Sequence, residues 1–412
     1  MKHSDKQVAQ LISKEAKRQE EGMELIPSEN YASSAVFEAL GSVFTNKYSE
    51  GYPGRRYYGG QAFVDEIEQL AIDRAKRLFG AEHVNVQPHS GAPANLAVYA
   101  AVLKPGDTVL GMDLSHGGHL THGHPVTLPA KLYRFERYKT ESDGSIDYEK
   151  LLRQARKTKP KLLLAGFSSY TRRVNFSAFR RIAKEVGAVS MFDMAHVAGL
   201  VAGKAYPNPV KYFDIVTTTT HKTLRGPRGG MILCRRPFAA AIDKAVFPGL
   251  QGGPHENVIA AKAVAFGEAL HPEFQTYAKQ ILANAKTLER EFKKLGYTLV
   301  FGGTQSHMLV IDVVSTFGIS GKAAELALDA VGITVNKNVI PDDTRSPMDP
   351  SGIRLGTPAI TTRGMKESEM IRIAAWIDRA LRSCENAREL AKIRKDVRAL
   401  CRKFPVYAKV RG

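Results

Sequence analysis

A lysine within a run of hydroxyl residues carries the most suggestive chemistry in the sequence. Lys222 follows the four threonines Thr217–Thr220 and His221, at the end of a predicted strand. A lysine amine can form an imine with the aldehyde of pyridoxal phosphate (PLP), a cofactor that also needs a carboxylate to keep its pyridine nitrogen protonated. Asp193, directly after an apolar segment, suits that second task. Either residue alone would usually be an ordinary charged group, but the pair at adjacent predicted strand ends favours a PLP site.

The cofactor phosphate would need an anion site, and the segment Ser90-Gly91-Ala92 before a predicted helix over 93–103 offers one. The first backbone N–H groups of a helix are unpaired, and the helix dipole attracts an anion to them. The motif is weak by itself, because serine and glycine cap many helices that bind nothing. The glycine-rich segment 249–254 is likewise predicted to be a tight loop.

A histidine-rich segment, His116–His124, contains four of the twelve histidines. A metal site is one interpretation. However, its glycines disfavour the i,i+4 ligand spacing of a helix, and the segment itself contains no carboxylate or thiol. We therefore predict no metal, and interpret the segment as a loop that presents one imidazole to stack on a flat cofactor.

Short apolar segments that alternate with helical ones indicate a mostly parallel, doubly wound sheet. Helices are predicted over 4–20, from 64 to Gly80 and over 176–186, and strands near 108–112, 161–166, 188–192, 214–219 and 230–234. Ligands bind beyond the carboxyl ends of parallel strands, so Ser168, Asp193 and Lys222 are expected at one edge of the sheet.

Two further stretches differ from this alternation. Residues 25–61 are rich in Gly, Tyr, Ser and Asn and are predicted to be irregular, as functional or partner-packed segments often are. Beyond about residue 270, a long helix over 277–295 is followed by predicted strands over 297–301 and 307–313 and by further helices. This part is predicted to form a smaller α+β domain.

The bulk composition limits the class of protein. A chain of 412 residues is long for one core, and 43% hydrophobic with 24% charged residues is an ordinary globular balance. No apolar run approaches the roughly 18 residues of a membrane span, and the charged N-terminus lacks a signal-peptide core. The three cysteines form no CxxC pair, which suits a reducing compartment. We expect a soluble, cytoplasmic protein.

The formal net charge of +18 is unusual. From Arg379 onward the sequence contains eleven Lys and Arg but three Asp and Glu. Nucleic-acid binding, a polyanionic substrate and a solvated basic surface are the three interpretations. The sequence contains no RNP aromatics, KH loop or helix-turn-helix spacing, so the solvated surface is favoured.

Longer motifs share a single resemblance over nearly the whole chain. They resemble the serine hydroxymethyltransferase family in the segments His221–Gly230, Asp193–Gly199, Asn46–Gly54, Arg56–Gly60, Val86–Gly91, Gly117–Gly123 and Ser351–Pro358. The resemblance implies the α/β class and a fold-type I PLP-dependent transferase (aspartate aminotransferase-like). A mostly parallel seven-stranded sheet is expected in the large domain, with a smaller α+β C-terminal domain. We expect an N-terminal arm and inter-subunit segment over 1–60, the PLP-binding domain over 61–270 and the small domain over 271–412.

The implied activity is that of a glycine hydroxymethyltransferase in one-carbon metabolism. L-Serine and tetrahydrofolate are converted reversibly to glycine and 5,10-methylenetetrahydrofolate, through an external aldimine and Cα–Cβ cleavage. The resemblance implies PLP bound covalently to Lys222, tetrahydrofolate as co-substrate, and a homodimer or tetramer without membrane partners.

The resemblance also assigns roles by position. Catalytic roles are implied for Lys222, Glu50, Tyr58, His119 and His221, with Glu50 as the candidate proton shuttle. Cofactor contacts are implied for Ser90, Gly91, His119, Ser168, Asp193, His196 and Lys222, and, across the subunit interface, for Tyr48 and Gly253. Serine would contact Ser28, Arg354, Glu50 and Tyr58, and folate would contact Leu114, Gly118, Leu120 and Asn338. The planar fork of Arg354 suits a bidentate grip on the amino-acid carboxylate.

The chain departs from the family pattern at three places. Ala92 stands where a serine is common, which removes one hydroxyl donor from the phosphate loop. Thr171-Arg172-Arg173 follows Tyr170 where Tyr-Pro-Arg is frequent, and His124 replaces a usual serine.

Two other functions stay open at this point. An aldolase for 3-hydroxy amino acids, or a 2-methylserine hydroxymethyltransferase, would share the fold and the cofactor residues. The presence of Tyr58, Glu50 and Asn338 favours serine with folate. RNA binding is motivated by the charge alone, and we expect no specific nucleic-acid binding.

Overall fold

The computed structural model describes residues 5–407, so Ser4, the predicted start of the first helix, lies outside the described residues. The α-helices are α1 Lys6–Glu21, α2 Ser34–Leu40, α3 Ala62–Phe79, α4 Gly91–Val102, α5 Leu128–Leu132, α6 Tyr148–Thr158, α7 Phe176–Val186, α8 Ala198–Ala202, α9 Ala239–Lys244, α10 Glu256–Leu270, α11 Pro272–Lys294, α12 Val313–Phe317, α13 Gly321–Ala330, α14 Pro358–Thr362, α15 Glu367–Arg382 and α16 Ala387–Cys401. The strands are β1 Met23–Glu24, β2 Gly51–Tyr52, β3 Arg55–Arg56, β4 His83–Asn85, β5 Thr108–Met112, β6 Arg134–Tyr138, β7 Leu162–Gly166, β8 Val189–Asp193, β9 Ile215–Thr219, β10 Gly230–Cys234, β11 Met308–Asp312, β12 Ile333–Thr334, β13 Asn336–Asn338 and β14 Gly352–Gly356.

Local sequence signals account for several helix ends. The side chains of Asp5 and Asn175 accept hydrogen bonds from the first N–H groups of α1 and α7. Gly80 and Gly187 end α3 and α7 in the left-handed conformation, each with φ of 69°. That conformation is nearly free of strain only for glycine. The predicted ends at these two glycines are confirmed.

The main sheet has seven strands in the order β4-β10-β9-β8-β7-β5-β6. Neighbours from β9 to β6 pair in parallel, whereas β10 runs antiparallel to both β9 and β4. The strands β7, β9 and β10 are buried along their whole length, as expected of strands covered on both faces. The predicted α/β class with a mostly parallel seven-stranded sheet is confirmed.

The carboxyl ends of three neighbouring strands hold the predicted site residues. Asp193 is the last residue of β8, and its register partners are Gly166 on β7 and Thr217 on β9. Ser168 comes two residues after β7, and Lys222 three residues after β9. The parallel pairing therefore brings these three segments to one edge of the sheet, as the pattern predicts.

The described chain divides into two compact units: Ala32–Lys279 forms one, and the residues up to Tyr31 together with those from Gln280 onward form the other. The second unit contains the antiparallel sheet β11-β14-β13 and the parallel pair β1-β12, with helices around an aliphatic core. The predicted domain bounds of 1–60, 61–270 and 271–412 stay a prediction, since the inter-subunit role of the first segment needs a second chain.

Two predictions about irregular and strand segments are wrong. Residues 25–61 include the helix α2, capped by Ser33, and the short hairpin β2-β3. Residues 297–301 form no strand: Leu299 makes an isolated bridge to Ile311, and a 3-10 turn begins at Val300. Within residues 5–407, no helix has both the length and the hydropathy that crossing a membrane requires.

Candidate active site

Asp193 is the best-defined group at the carboxyl edge of the sheet. Its side chain is 9% exposed and accepts hydrogen bonds from Asn95 Nδ2 at 2.9 Å, His122 Nε2 at 3.2 Å and the backbone N–H of Ala195 at 3.0 Å. Burial by itself would raise the pKa of the Asp193 carboxyl. The donors and the nearby imidazoles outweigh burial and hold that pKa well below its usual value, so the group is a carboxylate at neutral pH.

The ring of His122 has a defined tautomer. Its Nδ1 accepts the backbone N–H of His119 at 3.2 Å, so Nε2 carries the hydrogen that is donated to Asp193. The neighbouring His119 uses Nδ1 to accept the backbone N–H of Thr121, at 3.2 Å. These bonds orient both imidazoles at the edge of the sheet.

A carboxylate does lie close to the histidine-rich segment in the folded chain, contrary to the expectation from the sequence. Ligand atoms of His119, His122 and Asp193 lie within 4.8 Å of one another, although Asp193 is distant in the sequence. Each imidazole Nδ1 already accepts a backbone hydrogen bond, and His122 Nε2 donates to the carboxylate. We therefore describe the three as a hydrogen-bonded group.

The predicted anion site lies where α4 begins. Ser90 precedes the helix in extended conformation, and its hydroxyl makes no capping hydrogen bond. A Cβ built on Gly91 would lie 2.8 Å from Thr219 Cγ2, and one on Gly230 would lie 2.3 Å from the Ser90 carbonyl oxygen. These close approaches require glycine at both positions. As in any α-helix, the first N–H groups of α4 have no acceptor within the helix and can bind an anion.

Lys222 lies in the turn after β9 and is 9% exposed. The following Thr223 donates its hydroxyl hydrogen to the His196 carbonyl and accepts the backbone N–H of Gly199, both at 2.9 Å. The turn that carries Lys222 is thereby fastened to the segment after Asp193. His196 itself is 2% exposed.

His221, beside the lysine, is a neutral imidazole near pH 7. Burial, with the charges of Arg228 and Lys222, lowers its pKa to about 3. Its Nδ1 is buried and has no hydrogen-bond partner among residues 5–407.

The loop after β5 carries three predicted folate residues. Leu114 and Leu120 flank the turn, and Leu120 is 47% exposed, whereas Gly118 is buried. The backbone N–H of Ser168 donates to the Gly117 carbonyl at 2.7 Å, so Ser168 lies against this loop.

A second group contains residues predicted to act across a subunit interface. Tyr48 donates its hydroxyl hydrogen to Glu50 Oε1 at 3.1 Å, and its ring meets that of Tyr58 edge-on, with centroids 5.2 Å apart. A Cβ on Gly253 would lie 3.1 Å from the Tyr48 ring. Tyr48 and Tyr58 are about half exposed, at 55% and 48%. The structure thus brings these four residues together at a surface.

Three predicted residues belong to the other compact unit. Arg354 lies on β14, where its Nε donates to Asn336 Oδ1 at 3.0 Å, and burial lowers its pKa to about 10, so it stays protonated. Asn338 ends β13 and donates to the Val339 carbonyl at 2.6 Å. Ser28 lies in a turn and is half-buried.

Two residues that hold Asp193, Asn95 and His122, are not among those predicted from the sequence. Asn95 bridges the carboxylate, Thr121 and Thr217, with hydrogen bonds of 2.7 to 2.9 Å. A polar residue on the otherwise apolar helix α4 was the available signal for Asn95. His122 is one of the clustered histidines, but its sequence neighbours do not indicate a partner.

Comparisons with known proteins agree with the motifs. A family model described as serine hydroxymethyltransferase matches residues 1–377. A curated serine hydroxymethyltransferase of Acidobacterium capsulatum is 56% identical over 409 residues, which cover 99% of this chain and 96% of the relative. The chain therefore belongs to the serine hydroxymethyltransferase family, whose members depend on PLP and use tetrahydrofolate as a substrate.

Proposed function

We propose that the chain catalyses the reversible conversion of L-serine and tetrahydrofolate to glycine and 5,10-methylenetetrahydrofolate. The single observation that carries the proposal is the buried, ionised Asp193 on the strand next to β9, which leads to Lys222. Among the described residues, Asn95 and His122 donate to Oδ2 and only the Ala195 N–H donates to Oδ1, so Oδ1 can accept one more hydrogen bond. The protonated pyridine nitrogen of PLP is a suitable cationic donor to that oxygen.

The residues at the sheet edge fit the cofactor. PLP, when bound, supplies an electron sink for the pair of electrons released when the Cα–Cβ bond of serine breaks. Lys222 would hold the cofactor aldehyde through its amine, and Asp193 would keep the ring nitrogen protonated. Ser90 and Gly91 would bind the phosphate. His119 would cover one face of the ring.

Further roles follow the family resemblance. His196 and Ser168 are proposed to hold the cofactor ring, and Arg354 with Ser28 to bind the serine carboxylate. Leu114, Gly118, Leu120 and Asn338 are proposed for folate.

The proposed proton transfers use neutral or acid–base side chains of this chain. Glu50, hydrogen-bonded to Tyr48, is proposed to take the serine hydroxyl proton, with Tyr58 beside it. His221 is proposed as a neutral donor or acceptor, supported by its lowered pKa.

The proposed assembly is a homodimer or a larger oligomer with cross-subunit sites. Large apolar side chains that are strongly exposed support it: Val43 at 81%, Tyr57 at 74% and Phe63 at 74%. A location in the cytoplasm is proposed as well, supported by the bacterial relative and by three cysteines without disulfides.

The test is folate-dependent turnover of serine by protein purified with PLP. Wild-type protein is expected to cleave serine far faster with tetrahydrofolate than without it, and to prefer serine to allo-threonine and 2-methylserine. Lys222→Ala is expected to lose at least about a thousandfold in kcat, because the covalent attachment point and its amine are gone. The exposed Lys279→Ala serves as a matched control that keeps full activity. Equal turnover with and without folate, or an active Lys222→Ala, would contradict the proposal.

A further inference from the structure

Lys262 is a buried lysine that none of the proposed catalytic steps uses. It lies on α10 and is 1% exposed. Its Nζ donates to three backbone carbonyls: Val86 at 2.5 Å, Pro88 at 3.1 Å and Gly230 at 2.8 Å. Three acceptors match the three hydrogens of an ammonium group. Such a complete shell is what allows a charge to be buried at all.

The three carbonyls surround the turn that begins α4. Val86 and Pro88 lie on the segment that leads into Ser90, and the backbone N–H of Gly230 donates to the Pro88 carbonyl at 3.0 Å. Gly230 packs so closely on this turn that an added Cβ would lie 2.3 Å from the Ser90 oxygen. Lys262 therefore links the segment Val86–Pro88 to the start of β10, next to the Ser90–Gly91 turn.

The charged and titratable groups that face Lys262 belong to three elements. They are Glu68 on α3, Glu256 on its own helix and His89 in the turn itself. Glu68 accepts from Gln87 at 2.8 Å and from Arg56 at 2.5 Å, but burial raises the pKa of its carboxyl in spite of these donors. Both carboxyl oxygens of Glu256 are buried without a hydrogen-bond partner among residues 5–407, and burial raises its pKa to about 8. Lys262 thus has no close carboxylate partner of its own.

We propose that Lys262 is a positioning residue for the cofactor phosphate, which aligns the Ser90–Gly91 turn through three backbone carbonyls and adds a positive charge behind it. The proposal rests on the proposed function, in which this turn binds the phosphate of PLP. Because Ala92 supplies no hydroxyl, the phosphate depends on Ser90 and on backbone N–H groups, whose placement follows that of the carbonyls in the same segment.

The charge contribution has a defined pH dependence. Burial lowers the pKa of Lys262 to about 7, so without an anion the ammonium loses its proton as the pH rises through neutrality. A bound phosphate favours the charged form and raises that pKa, so binding takes up a proton. The part of PLP affinity that Lys262 contributes is therefore largest at low pH and declines in alkaline solution.

The test compares the PLP dissociation constant of wild-type enzyme and Lys262→Met between about pH 6.5 and pH 9, by titrating protein freed of PLP. Met keeps the apolar stem and removes the charge and the donors. We expect Lys262→Met to bind PLP at least about tenfold more weakly than wild type near pH 6.5. The ratio of the two dissociation constants should fall to about threefold near pH 9. At saturating PLP, kcat should stay within about threefold of wild type, because Lys262 contacts neither substrate nor ring. The exposed Lys279→Met should match wild type throughout.

Two results would overturn the proposal: unchanged PLP affinity, or a loss of equal size at every pH, which indicates packing alone. If Lys262→Met does not fold, Lys262→Gln replaces it, since an amide keeps two donors without the charge. In Lys262→Gln, we expect PLP affinity to depend less on pH than in wild type, with a smaller loss of affinity than in Lys262→Met. The same pH dependence as wild type would also contradict the proposal. Failure of wild-type protein to bind PLP would instead overturn the proposed function.

Discussion

Asp193 is a buried carboxylate whose charge is maintained by three hydrogen-bond donors. Asn95, His122 and the Ala195 N–H together occupy both carboxyl oxygens. Because the His122 ring is held in one tautomer by the His119 backbone, its Nε2 hydrogen always faces Asp193. The carboxylate therefore needs no rearrangement before it acts, which is the condition for strong electrostatic stabilisation.

Replacing this carboxylate isolates the effect of its charge. Asp193→Asn keeps the side-chain shape but cannot hold a pyridine nitrogen protonated, so kcat for serine cleavage should fall by about a hundredfold or more. Steady-state kinetics at saturating PLP measures it, and exposed Asp73→Asn on α3 is the control. A fall of less than about threefold would remove Asp193 from the proposed role.

At the scale of elements, the start of α4 is held between two strands. Thr219 at the end of β9 and Gly230 at the start of β10 both approach the Ser90–Gly91 turn closely enough to require glycine. The unpaired N–H groups and the dipole of α4 can then bind the phosphate, and no long flexible side chain is needed for this. Residue 92, the second of the helix, is where an additional donor could be placed.

Restoring a hydroxyl at this position should strengthen phosphate binding. Ala92→Ser is expected to tighten PLP binding by about tenfold or more, since a hydrogen bond to a charged group contributes roughly 1.5 kcal/mol or more and about 1.4 kcal/mol is a tenfold change in the dissociation constant. A PLP titration measures the change, and Ala101→Ser, in the last turn of the same helix, controls for serine in α4. If both variants bind PLP like wild type, the backbone N–H groups alone saturate the phosphate.

At the scale of the whole molecule, the unit Ala32–Lys279 contains two groups of proposed active-site residues. Asp193, His119 and the turn of Lys222 lie at the sheet edge, whereas Tyr48, Glu50, Tyr58 and Gly253 cluster at an exposed surface. The half-exposed rings of Tyr48 and Tyr58 are accessible to a second subunit. The proposed homodimer, with each surface group completing the site of the other subunit, accounts for both.

Mixed dimers test this directly. Lys222→Ala and Glu50→Gln chains should each be nearly inactive alone, because each lacks one required group. When they are coexpressed, random pairing makes about half of the dimers mixed, and each mixed dimer has one intact cross-subunit site, so activity should recover to about a quarter of wild type. The quarter applies to the unseparated sample, whereas mixed dimers isolated through two distinct tags should have about half of wild-type activity. No recovery in a confirmed mixed dimer would mean that Glu50 serves its own chain.

Much of the fold could be predicted because its signals are local. The apolar segments at 108–112, 161–166 and 230–234 become β5, β7 and β10 with little shift, since a strand buried on both faces is apolar throughout. The segment 297–301 is also largely apolar but forms no strand, because its backbone turns at Phe301, where φ is 59°. Strand pairing is decided by neighbours distant in the sequence, and composition does not specify them.

The sequence by itself determined the fold class, the family and the pairing of Lys222 with Asp193 on adjacent strand ends. Only the tertiary structure decided what surrounds them. Asn95 and His122 reach Asp193 across 98 and 71 residues of sequence, and Lys262 reaches Val86 across 176. Such contacts depend on how the sheet and its helices pack. A buried charge is stabilised by these distant donors and acceptors, so its state can be read only from the folded chain.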